Sequence, residues 1–227
     1  MPWTHPPTVT TDVVLLQTAP AQFEYVSAPM ATDGSIRLPI EMVVQARMQQ
    51  VYGQSATPLP VLVISDGAQV IRKRWSRTFG SAVVFLLDWY HLSEKLRQLM
   101  SMIAYNKTEK SEHCKVLLAY LWHGETQQAL HYLQHQVTPR NREKWQELIT
   151  YLQKHQHEII DYEKRRQAGK SIGSGRVEKA VDQVIGVRQK RKGKSWRPQG
   201  SRALGLLKVL LLNGKWHQFW FPEPTSA

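Results

Sequence analysis

Apolar residues change their period along this chain, and the change divides it. Residues 12–18 (DVVLLQT) and 22–28 (QFEYVSA) are short runs rich in β-branched and aromatic residues, parted by a turn at Pro20. They predict two strands, paired as a hairpin. Residues 39–53 open on a proline, space their apolar groups helically and end on a glycine, which predicts a helix. VLVIS (61–65) and AVVFLL (82–87) are apolar on both faces, as expected of strands covered by helices on either side. From Leu92 the period becomes helical throughout: Leu96, Leu99 and Ile103, then Leu117, Leu118 and Leu121, then Leu148, Leu152 and Ile159. Breaks fall near Lys107, at Gly124 and at Thr138–Pro139. The fold class is therefore α/β, with an all-helical block inserted after the second buried strand. ALGLLKVLLL (203–212) is interrupted by Lys208 and predicts a buried helix rather than a membrane span.

Charge sharpens this division. The chain has 227 residues, 42% of them hydrophobic, and a net charge of +12. Residues 161–227 hold 15 Lys/Arg against 5 Asp/Glu, whereas residues 1–160 hold 15 against 13. The C-terminal third is thus suited to a polyanionic partner; the plain alternative is a solvated basic tail. The single cysteine, Cys114, excludes an intramolecular disulfide and suits a reducing compartment. The N-terminal MPWTHPPTVTTD lacks the features of a signal peptide, so a cytoplasmic, nucleoid-associated protein is expected.

Three acidic residues stand where chemistry would place them. Both apolar strands run into an aspartate, Asp66 and Asp88, and in open α/β sheets ligands bind beyond the carboxyl ends of strands. Each could instead cap the helix that follows, and for Asp88, which forms an Asp-x-x-His pattern with His91, capping is the simpler role. In GSGRVE, Gly173 and Gly175 permit a turn that exposes N–H groups to an anion, and Glu178 follows on the first helical turn. A first-turn glutamate is also an ordinary stabilising choice. Taken together, converging carboxylates can hold a pair of Mg²⁺ ions that activate an oxygen nucleophile on a phosphodiester. No paired Cys or His set accompanies them, which argues against zinc. His131, His135, His155 and His157 fall on helical faces and read as surface or interhelix groups.

A basic run follows the glutamate. Arg188, Lys190, Arg191, Lys192 and Lys194 lead to Trp196 and Arg197, a set that could grip nucleic-acid phosphates. Trp196 could stack on an unpaired base or serve as a core anchor.

VISDGAQVIRKRW (63–75), FLLDWYHLSEKLRQLM (85–100) and GSGRVEKAVDQVIGVRQKRKGKSW (173–196) together resemble the DDE transposases of bacterial insertion sequences, most closely the ISKra4-type group. The resemblance spans residue 60 to the C-terminus. It implies a ribonuclease-H-like catalytic core over residues 1–91, interrupted by the helical insertion at 92–168. Residues 169–227 would then carry the catalytic glutamate and a DNA-binding region. By this likeness Asp66 and Glu178 are catalytic and hold Mg²⁺ or Mn²⁺, while Asp88 and His91 support them. The implied partners are transposon-end and target DNA, met by a homodimer. The family's first catalytic aspartate lies on the first strand of the core, at the centre of the sheet. Asp12 starts a strand and Asp33 sits in a turn, so neither matches it, and the first strand itself is missing from the pattern. The resemblance therefore implies an N-terminally truncated copy, inactive alone. A non-catalytic nucleic-acid-binding regulator derived from a transposase, or another ribonuclease-H-like nuclease, would share the basic surface.

Overall fold

In the computed structural model, residues 12–19, 21–53, 60–190 and 195–222 are described. In chain order the elements are β1 (Val13–Ala19), β2 (Gln22–Ser27), α1 (Ile40–Tyr52), β3 (Val61–Ser65), α2 (Gln69–Phe79), β4 (Val83–Leu87), α3 (Trp89–Ile103), α4 (Lys107–Trp122), α5 (Thr126–Gln136), α6 (Arg142–His155) and α7 (Tyr162–Gln167). Then come α8 (Gly175–Val181), a π-helical turn at Asp182–Gly186, α9 (Val187–Gln189), α10 (Pro198–Leu212) and α11 (Trp216–Trp220). The protein is α/β, mostly helical, with two small sheets. It divides into two compact units, one of residues Met1–Thr57 with Gly175–Ala227, the other of Pro58–Ser174. The helical block at 92–168 thus shares a unit with β3 and β4, and the N-terminal strands share one with the basic C-terminal region.

In the first unit, β1 and β2 pair antiparallel, with Val14 opposite Val26 and Leu16 opposite Glu24. Val26, Ile40, Val44, Ala180, Val184 and Val209 are buried and supply its apolar core. Polar groups of β2 are matched across the unit. The Tyr25 N–H donates to Asn213 Oδ1 at 2.9 Å, Asn213 Nδ2 donates to the Tyr25 carbonyl at 2.8 Å, and the Tyr25 hydroxyl donates to Gln183 Oε1 at 2.8 Å. Glu24, on the same strand face as Val26, accepts from Arg47 Nε at 2.6 Å and Lys215 Nζ at 2.9 Å. The turn at Asp33 is explained locally: Asp33 Oδ1 accepts from the Ser35 N–H and hydroxyl at 2.8 and 2.7 Å. These bonds hold its carboxyl below the usual carboxylate range. Gly34 has φ +85°, and a Cβ there would lie 2.7 Å from Gln199 Cβ, so α10 leaves room for glycine alone. Asp33 is a turn residue.

In the second unit, β3 and β4 pair parallel, from Val61 opposite Val83 to Ser65 opposite Leu87. The strand bounds match the apolar runs, but the expected cover on both faces is incomplete. Leu62 and Val84, cross-strand neighbours, are 40% and 54% exposed. Further along β4, Leu86 and Leu87, on opposite faces of the strand, both enter a continuous core with Leu92, Leu96, Leu99, Ile103, Leu117, Leu121, Leu133, Leu148 and Leu152. The insertion is therefore built on the end of β4. Trp89 anchors it, its ring 4.8 Å from Trp122 and 5.1 Å from Tyr162. Buried Tyr162 donates its hydroxyl to the Leu87 carbonyl at 2.8 Å. Burial, followed by the acidic neighbours Asp88 and Glu158, pushes that hydroxyl well above its ordinary pKa and keeps it a donor. Helix breaks fall where the sequence places them, α4 beginning at Lys107 and ending before Gly124 (φ +77°). Among the described residues no helix is long and apolar enough to cross a membrane.

Burial opposes ionisation of Glu24, but hydrogen bonds from Arg47 and Lys215 outweigh it and leave the carboxyl below its ordinary value of 4.5. A depressed folded-state value stabilises the fold above the unfolded pKa, and the gain is lost as pH falls through the folded value. Glu24→Gln should lose about 1–2 kcal/mol at neutral pH. The gap between wild type and variant in urea melts should close as pH drops below 4.5. A gap that persists through that window would show that charge is not the cause.

Candidate active site

The parallel pairing of β3 and β4 ends in register at Ser65 and Leu87, so Asp66 and Asp88 follow on neighbouring strands at the same sheet edge. Their surroundings then separate them. Asp88 is 1% exposed. Its Oδ1 accepts from the N–H groups of Tyr90 at 2.6 Å and His91 at 3.2 Å, capping α3. Its Oδ2 accepts from both the N–H and the hydroxyl of Ser174. Four donors thus converge on one buried carboxylate. The backbone is tied at the same point, with the Asp88 N–H on the Ser65 carbonyl at 2.8 Å and the Trp89 N–H on the Ile172 carbonyl at 3.1 Å. Asp88 joins two strand ends, a helix start and the 172–174 segment. His91 lies on the first turn of the helix it caps.

Asp66 is exposed, and its Oδ1 accepts from the Ala68 N–H at 2.9 Å. The next residue, Gly67, has φ +85°, and a Cβ there would lie 2.6 Å from His155 Cε1. The sharp turn expected after Asp66 is present, and a buried histidine occupies its inner side. His155 is 2% exposed and donates from Nδ1 to Glu158 Oε2 at 2.8 Å, since a carboxylate only accepts. Glu158 also pairs with Arg72, whose guanidinium sits 5.3 Å above the Phe85 ring. The Leu87 N–H donates to the Glu158 carbonyl at 3.0 Å, which brings this network to the end of β4. Tyr151, one helical turn before His155, packs its ring 4.8 Å from the imidazole. Burial first, then the charges of Asp66, Glu158 and Asp88, push its hydroxyl up to about 12.

Of the histidines read as surface or interhelix groups, His155 takes the interhelix place, at the end of α6 and facing Arg72 of α2. Its burial separates it from His131, His135 and His157, which are exposed. The sequence carries one usable signal, a glutamate three residues later, in the turn that follows α6.

The remaining sequence-selected residues lie in the other unit. Glu178 is exposed on the first turn of α8. Arg188 and Lys190 are exposed at the end of the helical run, and Arg197 is exposed where α10 begins. Trp196 is 36% exposed, which removes the core-anchor reading. Arg191, Lys192 and Lys194 lie outside the described residues. Neither Gly173 nor Gly175 has positive φ. Gly173 is needed for space instead: a Cβ would meet the Tyr90 ring at 2.6 Å and Asp88 Oδ1 at 3.1 Å.

The donor chemistry suits a hard cation at Asp66, whose exposed carboxylate offers oxygen alone. Asp88 already accepts bonds from backbone and serine donors on both oxygens.

The sequence model of the uncharacterised protein family UPF0236 matches residues 42–219, and the chain belongs to that family. No curated protein and no solved structure matches it.

Gly67→Ala should cost about 2–5 kcal/mol, summing left-handed strain of about 1–2 kcal/mol and overpacking against His155 of about 1–3 kcal/mol. Gly80 has φ +56° but nothing within 4 Å of its Cβ position, so Gly80→Ala reports the backbone term alone. Equal losses in the two variants, measured by chemical denaturation, would refute the His155 contact.

Proposed function

We propose that this member of the UPF0236 family is the catalytic region of a DDE transposase, built on a ribonuclease-H-like core and suited to metal-dependent cleavage and transfer of DNA strands. The observation that carries the reading is the pair of in-register parallel strands that each run into an aspartate, Asp66 exposed for chemistry and Asp88 buried for support. The order of elements supports it as well. An antiparallel strand pair, a helix, a parallel strand pair and a helical insertion succeed one another as in that core without its first strand. Both strand pairs leave edges unpaired among the described residues, where a further strand would hydrogen-bond. The basic C-terminal region supplies the charge that a DNA backbone requires.

In this reading Asp66 and Glu178 would hold Mg²⁺ or Mn²⁺, which supplies activation of a water or 3′ hydroxyl and neutralises the leaving oxygen. Asp88 positions the start of α3, and His91 follows it there. The Glu158–His155 pair sets the turn that carries Asp66. Arg188, Lys190, Arg191, Lys192, Lys194 and Arg197 would bind phosphates, with Trp196 beside them. Asp33 is committed to its turn and supplies no third carboxylate, so this chain should turn over DNA poorly without one from elsewhere.

Replacing Mg²⁺ by Fe²⁺ with ascorbate should cut the backbone near Asp66 and near Glu178, and Asp66→Asn should abolish both cuts. Unlocalised cutting, or cutting that survives the substitution, would contradict the metal assignment. Nicking of supercoiled plasmid in Mn²⁺ should be weak and should vanish in Asp66→Asn and Glu178→Gln. Nicking that survives both substitutions contradicts the assignment. For duplex DNA, the logarithm of affinity should fall against the logarithm of salt with a slope of roughly −4 to −5 if five cations meet phosphates. A slope near zero would remove the DNA partner.

A further inference from the structure

The last helix is out of keeping with a solvated surface. In α11 and the residue after it, Trp216, Phe219, Trp220 and Phe221 are 40%, 59%, 50% and 65% exposed. Trp216, Phe219 and Trp220 fall at the spacing that shares one helical face. Trp220 lies 5.7 Å from Trp216 at 58° and 5.1 Å from Phe219 at 87°, so the rings stand across one another rather than stacking face to face. Large aromatic groups clustered in water mark a binding surface.

Charge selects the occupant. From Gln183 to Pro222 the chain carries nine Lys/Arg and no Asp/Glu, and of the nine Lys215 is paired with Glu24 of β2. A second copy would bring the same positive stretch to the contact and be repelled. A polyanion is attracted, and the nucleic acids are polyanions that also offer flat π-faces. Duplex DNA hides those faces within its own stack, whereas an unpaired strand presents them. Acyl chains would match aliphatic side chains better, and residues 216–221 contain none.

We propose that α11 and Phe221 form a stacking platform for unpaired nucleotides, with phosphates of the same strand held by the acid-free basic stretch. The platform lies outside the residues assigned to catalysis. It needs a nucleic-acid partner but not the transposase chemistry, so it stands or falls separately from the metal site. Trp216, Phe219 and Trp220 are stacking residues and Phe221 extends the surface past the helix.

The test compares an oligothymidine strand with a duplex of equal length, both fluorescently labelled, by anisotropy at fixed salt. Trp220→Ala and Phe219→Ala should each weaken strand binding by roughly 5- to 150-fold per stacked base lost while leaving duplex binding unchanged. Trp220→Phe should keep most of the strand affinity. Trp220→Leu should lose it, because it retains apolar bulk without a π-face and guards against a fold that fails with alanine. Strand affinity unchanged in all variants, or equal loss on strand and duplex, overturns the proposal. So does a drop from dimer to monomer mass in light scattering, which would assign the patch to a second copy. Loss of binding to phosphatidylserine vesicles with strand binding intact would assign it to a membrane and equally overturn it. Failure of every nicking assay, with the strand effect present, leaves this platform standing and removes the catalytic reading alone.

Discussion

One buried carboxylate organises the end of the sheet on which everything else is placed. Asp88 is almost wholly withdrawn from water, and each of its oxygens accepts two hydrogen bonds. An unpaired charge at that depth would be very costly; four donors make it the point where β4, α3 and the 172–174 segment are pinned. The Leu87 side of the same strand end receives the Tyr162 hydroxyl and donates to Glu158. The helical insertion is therefore fastened to the strand end by polar bonds as well as by its leucine core. Gly173 runs so close to Tyr90 and the carboxylate that a Cβ there would not fit.

The neighbouring strand end is held differently. Asp66 emerges into solvent on a turn that only glycine can follow, since Gly67 needs both a left-handed backbone and the space that His155 takes. The Arg72–Glu158–His155 group beneath the turn contains a cation, an anion and an imidazole matched within the unit, so its burial is compensated. Two aspartates with the same sequence context, each ending an apolar strand, thereby acquire opposite roles from burial alone. The exposed one can meet a ligand; the buried one holds the scaffold.

The sequence made the strands legible because each apolar run was short and bounded, and their limits agree with the structure to within a residue. The helical breaks were legible for the same reason: Gly124 and the Pro139 region cannot continue a helix. Capping by Asp88 could be argued from its place before α3, but its bond to Ser174 could not, because those residues are far apart in the chain. Gly173 shows the limit of reading glycine as flexibility: its use is close approach to Tyr90, a tertiary contact. Which of the four histidines would be the interhelix one was not legible, because they look alike until packing buries one. The aromatic surface of α11 was passed over because its spacing fits a core face equally well, and only exposure distinguishes the two.

The central claim is the division of labour between the two aspartates, and it is tested by denaturing the whole chain with each carboxylate neutralised. Asp88→Asn removes charge-assisted bonds worth about 1.5–3 kcal/mol each and should lower stability by about 3 kcal/mol or more. Asp66→Asn, exposed and bonded once through Oδ1 to Ala68, should change it by less than about 1 kcal/mol. Equal losses, or a larger loss at Asp66, would contradict the account.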